Sequence, residues 1–117
     1  LGITNVLDNS DFSYIYQSVS GALEIPVAMN LLLSRSEFIG AIGVGCVVRG
    51  ETSHYDIVAN LSAKGLLDVS IKYDIPVTNA IITVNSFTQA IERAKPDIKN
   101  RGGHAADALL DLIKLKK

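Results

Sequence analysis

The stretch from Phe38 to Tyr55 constrains the fold more than any other. Phe38-Ile39-Gly40-Ala41-Ile42 continues through Gly43-Val44-Gly45-Cys46 into Val47-Val48, a nearly unbroken apolar run rich in β-branched residues. Strands covered on both faces read this way, as the central strands of parallel sheets do. The run stops at Arg49-Gly50-Glu51-Thr52-Ser53-His54, a polar turn, and a helical pattern follows. Gly50 can take backbone angles that other residues avoid, and Thr52 and Ser53 bring hydroxyls to the first unpaired N–H groups of the helix. A helix start of this kind favours an anion such as phosphate.

The rest of the chain alternates around that strand. Leu1 to Asn9 reads as the end of a helix running into the turn Asp8-Asn9-Ser10-Asp11. Ser13–Val19 carries aromatic and β-branched residues and is expected to be a strand, with Ser20-Gly21 as a turn. Pro26 fits the first turn of a helix reaching about Leu33, where its missing N–H costs nothing. Phe38–Val48 is the next strand. Asp56 to Lys72 follows as a long helix in which Val58, Leu61, Leu66 and Val69 approximate an apolar stripe, while Ala59, Ser62, Ala63 and Gly65 allow close packing. Val77–Thr83 is a strand opened by Pro76, and Asn85-Ser86 caps a short helix that Pro96 stops. Asn100-Arg101-Gly102-Gly103 is expected to be a turn, and His104 to Lys116 a final amphipathic helix. Alternating strands and helices predict one αβα domain over residues 1–117, built on a parallel sheet with helices on both faces. In such sheets ligands bind at the carboxyl ends of the strands, where Ser20–Glu24, Arg49–His54 and Thr83–Ser86 fall.

Composition narrows the function classes. The 117 residues carry 11 basic and 12 acidic side chains, a net charge of −1, and no broad basic face for nucleic acid. The cluster Lys114, Lys116 and Lys117 suits the negative end of a helix. Hydrophobic residues make up 48% and mean hydropathy is +0.28, a surplus that predicts burial against further copies of the chain. No apolar run reaches the roughly 18 residues of a membrane span. The single Cys46 has no partner for an internal disulfide, and no Cys and His set has metal-ligand spacing, which points to a reducing, cytoplasmic setting.

Three ordered blocks then carry a resemblance. Gly21-Ala22-Leu23-Glu24-Ile25-Pro26, then Cys46-Val47-Val48-Arg49-Gly50-Glu51-Thr52-Ser53-His54-Tyr55-Asp56, then Ile75-Pro76-Val77-Thr78-Asn79-Ala80-Ile81-Ile82-Thr83 through Gln89-Ala90-Ile91-Glu92-Arg93-Ala94 to Asn100-Arg101-Gly102, resemble the lumazine synthase family of riboflavin biosynthesis across nearly the whole chain. The resemblance implies a flavodoxin-like αβα fold with four parallel strands in the order 2-1-3-4. The first of these has no counterpart in the sequence, so the domain is expected to be incomplete at its N-terminus, to depend on a preceding segment for an inner strand, and without it to have a split sheet. It also implies condensation of 5-amino-6-ribitylaminouracil with 3,4-dihydroxy-2-butanone 4-phosphate to 6,7-dimethyl-8-ribityllumazine, releasing phosphate and water, with no cofactor and no metal. Family members assemble as pentamers, pairs of pentamers or sixty-subunit shells, which implies a homo-oligomer with sites shared between subunits, small-molecule substrates, and neither nucleic acid nor membrane as partner.

Residue by residue, the resemblance implies His54 for proton transfer beside the phosphate turn. A lone histidine at a helix start is more often a capping or surface residue, and only the surrounding motif reverses that reading. Glu51 and Thr52 match the turn that holds butanone phosphate through backbone N–H groups, and Arg93 the phosphate-binding arginine, whose fork suits phosphate geometry. Ala22, Leu23 and Glu24 match the ribityl-holding segment, although many members carry an aromatic where Leu23 stands. Cys46, Val47 and Val48 match the strand end lining the pyrimidine pocket, Asn79 a position that meets the ring, and Arg101 one where many members have Lys. His104 lies outside every block and reads as a solvated histidine. Arg49 is left outside the site, as a structural residue at a subunit contact. Gly43-Val44-Gly45 lacks the third glycine of a dinucleotide fingerprint, and no GxxxxGK loop is present. A shell-forming relative that has lost catalysis, and a lumazine- or flavin-binding doubly wound domain, are the alternatives from other classes.

Overall fold

The computed structural model describes residues 1–50 and 53–116. Its centre is the apolar run: β1 spans Ala41–Val48 and pairs in parallel with β2, Val77–Val84, from Ala41 beside Val77 to Val48 beside Val84. Between them runs α3, His54–Tyr73, which ends where Asp74 takes a left-handed conformation (φ 54°). Before β1 come α1, Gly2–Asp8, and α2, Glu24–Arg35; after β2 come α4, Phe87–Ala94, and α5, Arg101–Lys116.

The layers follow from the two-residue period of the strands. Ala41, Val77 and Ile81 pack with Ile25, Met29 and Leu33 of α2 and Leu66 and Val69 of α3. The alternate residues of β2 turn to the other face, where the Thr78 hydroxyl donates to the Ala105 carbonyl of α5 at 2.9 Å. Buried Leu109 and Ile113 of α5 lie against Gly40, and α1 packs on α5. The result is the expected αβα arrangement. Close approach dictates two glycines: a Cβ on Gly43 would stand 2.9 Å from Leu66, and one on Gly65 would stand 2.7 Å from the Pro26 ring where α2 and α3 cross.

Three boundaries differ from the sequence reading. Ser13–Val19 forms no strand, and the sheet has two strands among the described residues. Favourable side chains do not make a strand without a neighbour to take its backbone hydrogen bonds. The segment instead lines a groove of about 960 Å³ beside β1, whose walls also include Ala22, Ile25, Ile42, Val44, Cys46 and Leu109. That groove follows the unpaired edge of β1. Ala41 N–H donates to Pro76 O and Arg49 N–H to Val84 O, so the amides of Ile42, Val44, Cys46 and Val48 point away from β2. Second, Asn100–Gly103 is not a free turn. Asn100 sits at φ 47° and its Oδ1 accepts from Gly103 N–H at 3.2 Å, so Arg101 already lies in α5. Third, α3 begins two residues earlier than expected, at His54, whereas α2 begins at Glu24 and holds Pro26 in its first turn as expected.

Candidate active site

The carboxyl ends of β1 and β2 lie side by side, and the chain leaves each through polar residues. From β2 it passes Asn85 and Ser86 into α4. Ser86 is extended and its Oγ accepts from Gln89 N–H at 3.3 Å, while Gln89 Oε1 accepts from Asn85 N–H at 2.7 Å. This reciprocal pairing satisfies two donors at the helix start and fixes Asn85. From β1 the chain passes Arg49 and Gly50, and α3 opens with Ser53 as cap residue and His54 as first helical residue. The Ser53 carbonyl accepts from Asp56 and Ile57 N–H. Glu51 and Thr52 lie outside the described residues.

Arg49 joins the two exits. Its Nε donates to Asn85 Oδ1 at 2.9 Å, its guanidinium carbon lies 4.5 Å from the centre of the Tyr55 ring, and Nη2 stands 3.9 Å from Asp56 Oδ1. The pairs expected across a subunit contact are therefore found within the chain.

His54 is exposed on α3 directly beyond the turn, and its first-turn position faces it with the positive end of the helix. Val47 is buried in the sheet, whereas Val48 and Cys46 are exposed on the alternate residues of β1. Cys46 and Ala22 line the same groove. Desolvation by the surrounding apolar groups raises the Cys46 thiol above its ordinary pKa, which opposes the thiolate a nucleophile needs. Glu24, in the first turn of α2, accepts from the Ser20 hydroxyl at 3.0 Å, and Leu23 is exposed just before it.

Three further residues stand apart from this end within the chain. Asn79 pairs in register with Gly43, five residues short of Val84, or roughly 16 Å down the strand. Its Oδ1 accepts from Ile81 N–H at 2.7 Å, covering a donor on the outer edge of β2. Arg93 is half-buried in the last turn of α4, seven residues and about 10 Å along the helix from Ser86. Arg101 is exposed at the start of α5, which packs on β2 through Ala105. No group of three or more His, Cys, Asp or Glu capable of holding a metal occurs among the described residues, and no described helix is long and apolar enough to cross a membrane. The sequence reading placed Asn85-Ser86 at this cap but missed the bond between Gln89 and Asn85 N–H, which the Ser86-x-x-Gln89 spacing hints at.

A sequence model of 6,7-dimethyl-8-ribityllumazine synthase matches residues 3–117. Curated proteins of that name are similar along almost the whole chain. The one from Afipia carboxidovorans is 42% identical over 121 residues, covering 99% of this chain and 74% of the relative. The one from Methylobacterium radiotolerans is 41% identical, with 99% and 71% covered, and the one from Bartonella tribocorum 44% identical, with 99% and 78% covered.

Proposed function

The chain belongs to the 6,7-dimethyl-8-ribityllumazine synthase family, and on that premise we propose how it condenses 5-amino-6-ribitylaminouracil with 3,4-dihydroxy-2-butanone 4-phosphate in riboflavin biosynthesis. The match over residues 3–117 is the observation that carries the reading. The chemistry runs through imine formation with loss of water, elimination of phosphate and ring closure with loss of a second water. These steps move protons and release an anion without net oxidation, so side chains suffice. Histidine titrates near neutrality and suits the proton transfers, and His54 stands beside the turn that would receive the phosphate. Glu51 and Thr52 offer backbone N–H groups to the phosphate, and Arg93 a planar fork of donors. Ala22, Leu23 and Glu24 hold the ribityl chain, Cys46, Val47 and Val48 border the pyrimidine, and Asn79 and Arg101 meet the ring and its substituents.

The site is assembled from two copies of the chain. Asn79 lies roughly 16 Å down β2 from the strand ends with its side chain bonded to its own strand, and Arg93 stands about 10 Å along α4 from its cap, placements that support their serving the His54 turn of another copy. A neighbouring copy in a head-to-tail ring can supply them. Exposed Val27 and Leu31 on α2, and Leu61, Leu67 and Ile71 on α3, provide apolar surface for such contacts.

Mixing the two substrates with folded protein, without added cofactor, is expected to give 6,7-dimethyl-8-ribityllumazine, followed by its absorbance and mass. A folded oligomer that forms no product would contradict the reading in favour of a non-catalytic relative.

A further inference from the structure

We propose that Arg49 is a positioning residue for this reaction: it ties the end of β1 to the first turn of α3, where His54 stands, and to the start of α4 through Asn85. The inference rests on the proposed function for its kinetic consequence, but its geometry stands by itself. Arg49 is the last residue before the turn, and Tyr55 and Asp56 are the second and third residues of the helix that follows it. One side chain at the strand end therefore reaches the first turn of that helix, at 4.5 Å from the Tyr55 ring centre and 3.9 Å from the Asp56 carboxylate. The same guanidinium donates to Asn85 at 2.9 Å, 36 residues away in sequence, and the Arg49 backbone N–H donates to Val84 O at 2.8 Å.

The contacts differ in weight. The Asp56 pair is exposed on both sides and at the limit of ion-pair distance, so it contributes little. The bond to the Asn85 side chain is short, and the Asn85 backbone that carries it is held by the bond from Asn85 N–H to Gln89. Stacking on Tyr55 uses the flat face of the guanidinium while its edge serves Asn85, a combination a lysine ammonium does not reproduce. With Nε and the ring face thus engaged, Arg49 acts on the phosphate-bearing substrate through the placement of the α3 start and His54.

The test combines kinetics and amide exchange on the full chain in its assembled form. Arg49→Met, Arg49→Lys and Asn85→Ala are each expected to lower kcat/KM for the butanone phosphate by about tenfold or more, because small misplacements of positioning groups are costly. KM for the ribitylaminouracil stays within about twofold in the same variants, since neither Arg49 nor Asn85 is among the residues that hold it. The Arg49→Met/Asn85→Ala pair is expected to be no worse than Arg49→Met alone, the mark of residues acting as one unit. Amide exchange at Gly50 and His54 rises in all of these variants while that of β2 is unchanged. A harmless Asn85→Ala beside a crippled Arg49→Met, or full activity in Arg49→Lys, would overturn the proposal and make Arg49 a direct charge on the substrate. Equal losses for both substrates together with faster exchange in β2 would reduce it to a general stabiliser. If the unmodified protein makes no lumazine, the functional reading fails and the exchange arm alone decides the tie.

Discussion

The carboxyl end of the sheet and the lateral edge of β1 are built from the same strand, yet one is closed and the other open. At the carboxyl end, Arg49 is tied to Val84 through its backbone and to Asn85 through its side chain, and Asn85 and Gln89 hold each other. Along the edge, the amides of Ile42, Val44 and Cys46 face a groove, and Tyr14, Ile15 and Tyr16 on the segment beside it are 48%, 66% and 84% exposed. Apolar β-branched side chains are common to both β1 and Ser13–Val19. What separates the strand from the segment is a partner for the backbone.

The largest expected effect strikes the core that both regions share. Leu66 is 2% exposed and packs under Gly43, so Leu66→Ala should cost about 3 kcal/mol in denaturant unfolding, with loss of the groove and of the carboxyl-end contacts together. A cost under about 1 kcal/mol would mean that the helices do not meet the sheet there.

Amide exchange separates the two regions directly. Gly43, Gly45 and Val47 point to β2 and should exchange at least about tenfold more slowly than Val44 and Cys46, which face the groove. Uniform protection along β1 would show that its edge is covered, and would erase the contrast.

Much of the closed region was readable in the sequence because its signals are local. The end of the apolar run at Arg49, the start of a helix near His54, and the Asn85-Ser86 cap each depend on a few neighbouring residues. The Arg49 to Asn85 bond was not readable, since it spans 36 residues and depends on the parallel register. Asn100 was mistaken for part of a turn because a left-handed asparagine serves turns and helix caps alike, and only its bond to Gly103 N–H distinguishes them. The fate of Ser13–Val19 was not in its own residues at all. Whether it pairs depends on what lies beside it in space.

Two smaller effects sharpen the comparison. Ser86→Ala removes an exposed cap and should lower stability by about 1 kcal/mol, while Ser20→Ala, beside the open region and outside any helix cap bond, should change it by less than about 0.5 kcal/mol. Cys46 gives the smallest effect. Burial favours its neutral thiol, so alkylation near pH 8 should run a few-fold slower than for a free thiol and approach it as the pH rises past the raised pKa. A rate above that of a free thiol would show an activating charge nearby.

The central claim is that the closed end supplies the His54 turn to a site completed by Arg93 of a neighbouring copy, and complementation tests it most directly. His54→Ala and Arg93→Ala are each expected to be severely impaired when assembled alone. After unfolding and co-assembly in equal amounts, about a quarter of the sites in a head-to-tail ring should join an intact His54 turn to an intact neighbouring Arg93. Lumazine formation well above the mean of the two separate variants is the predicted result, and no gain in a demonstrably mixed ring would place both residues in the pocket of a single chain.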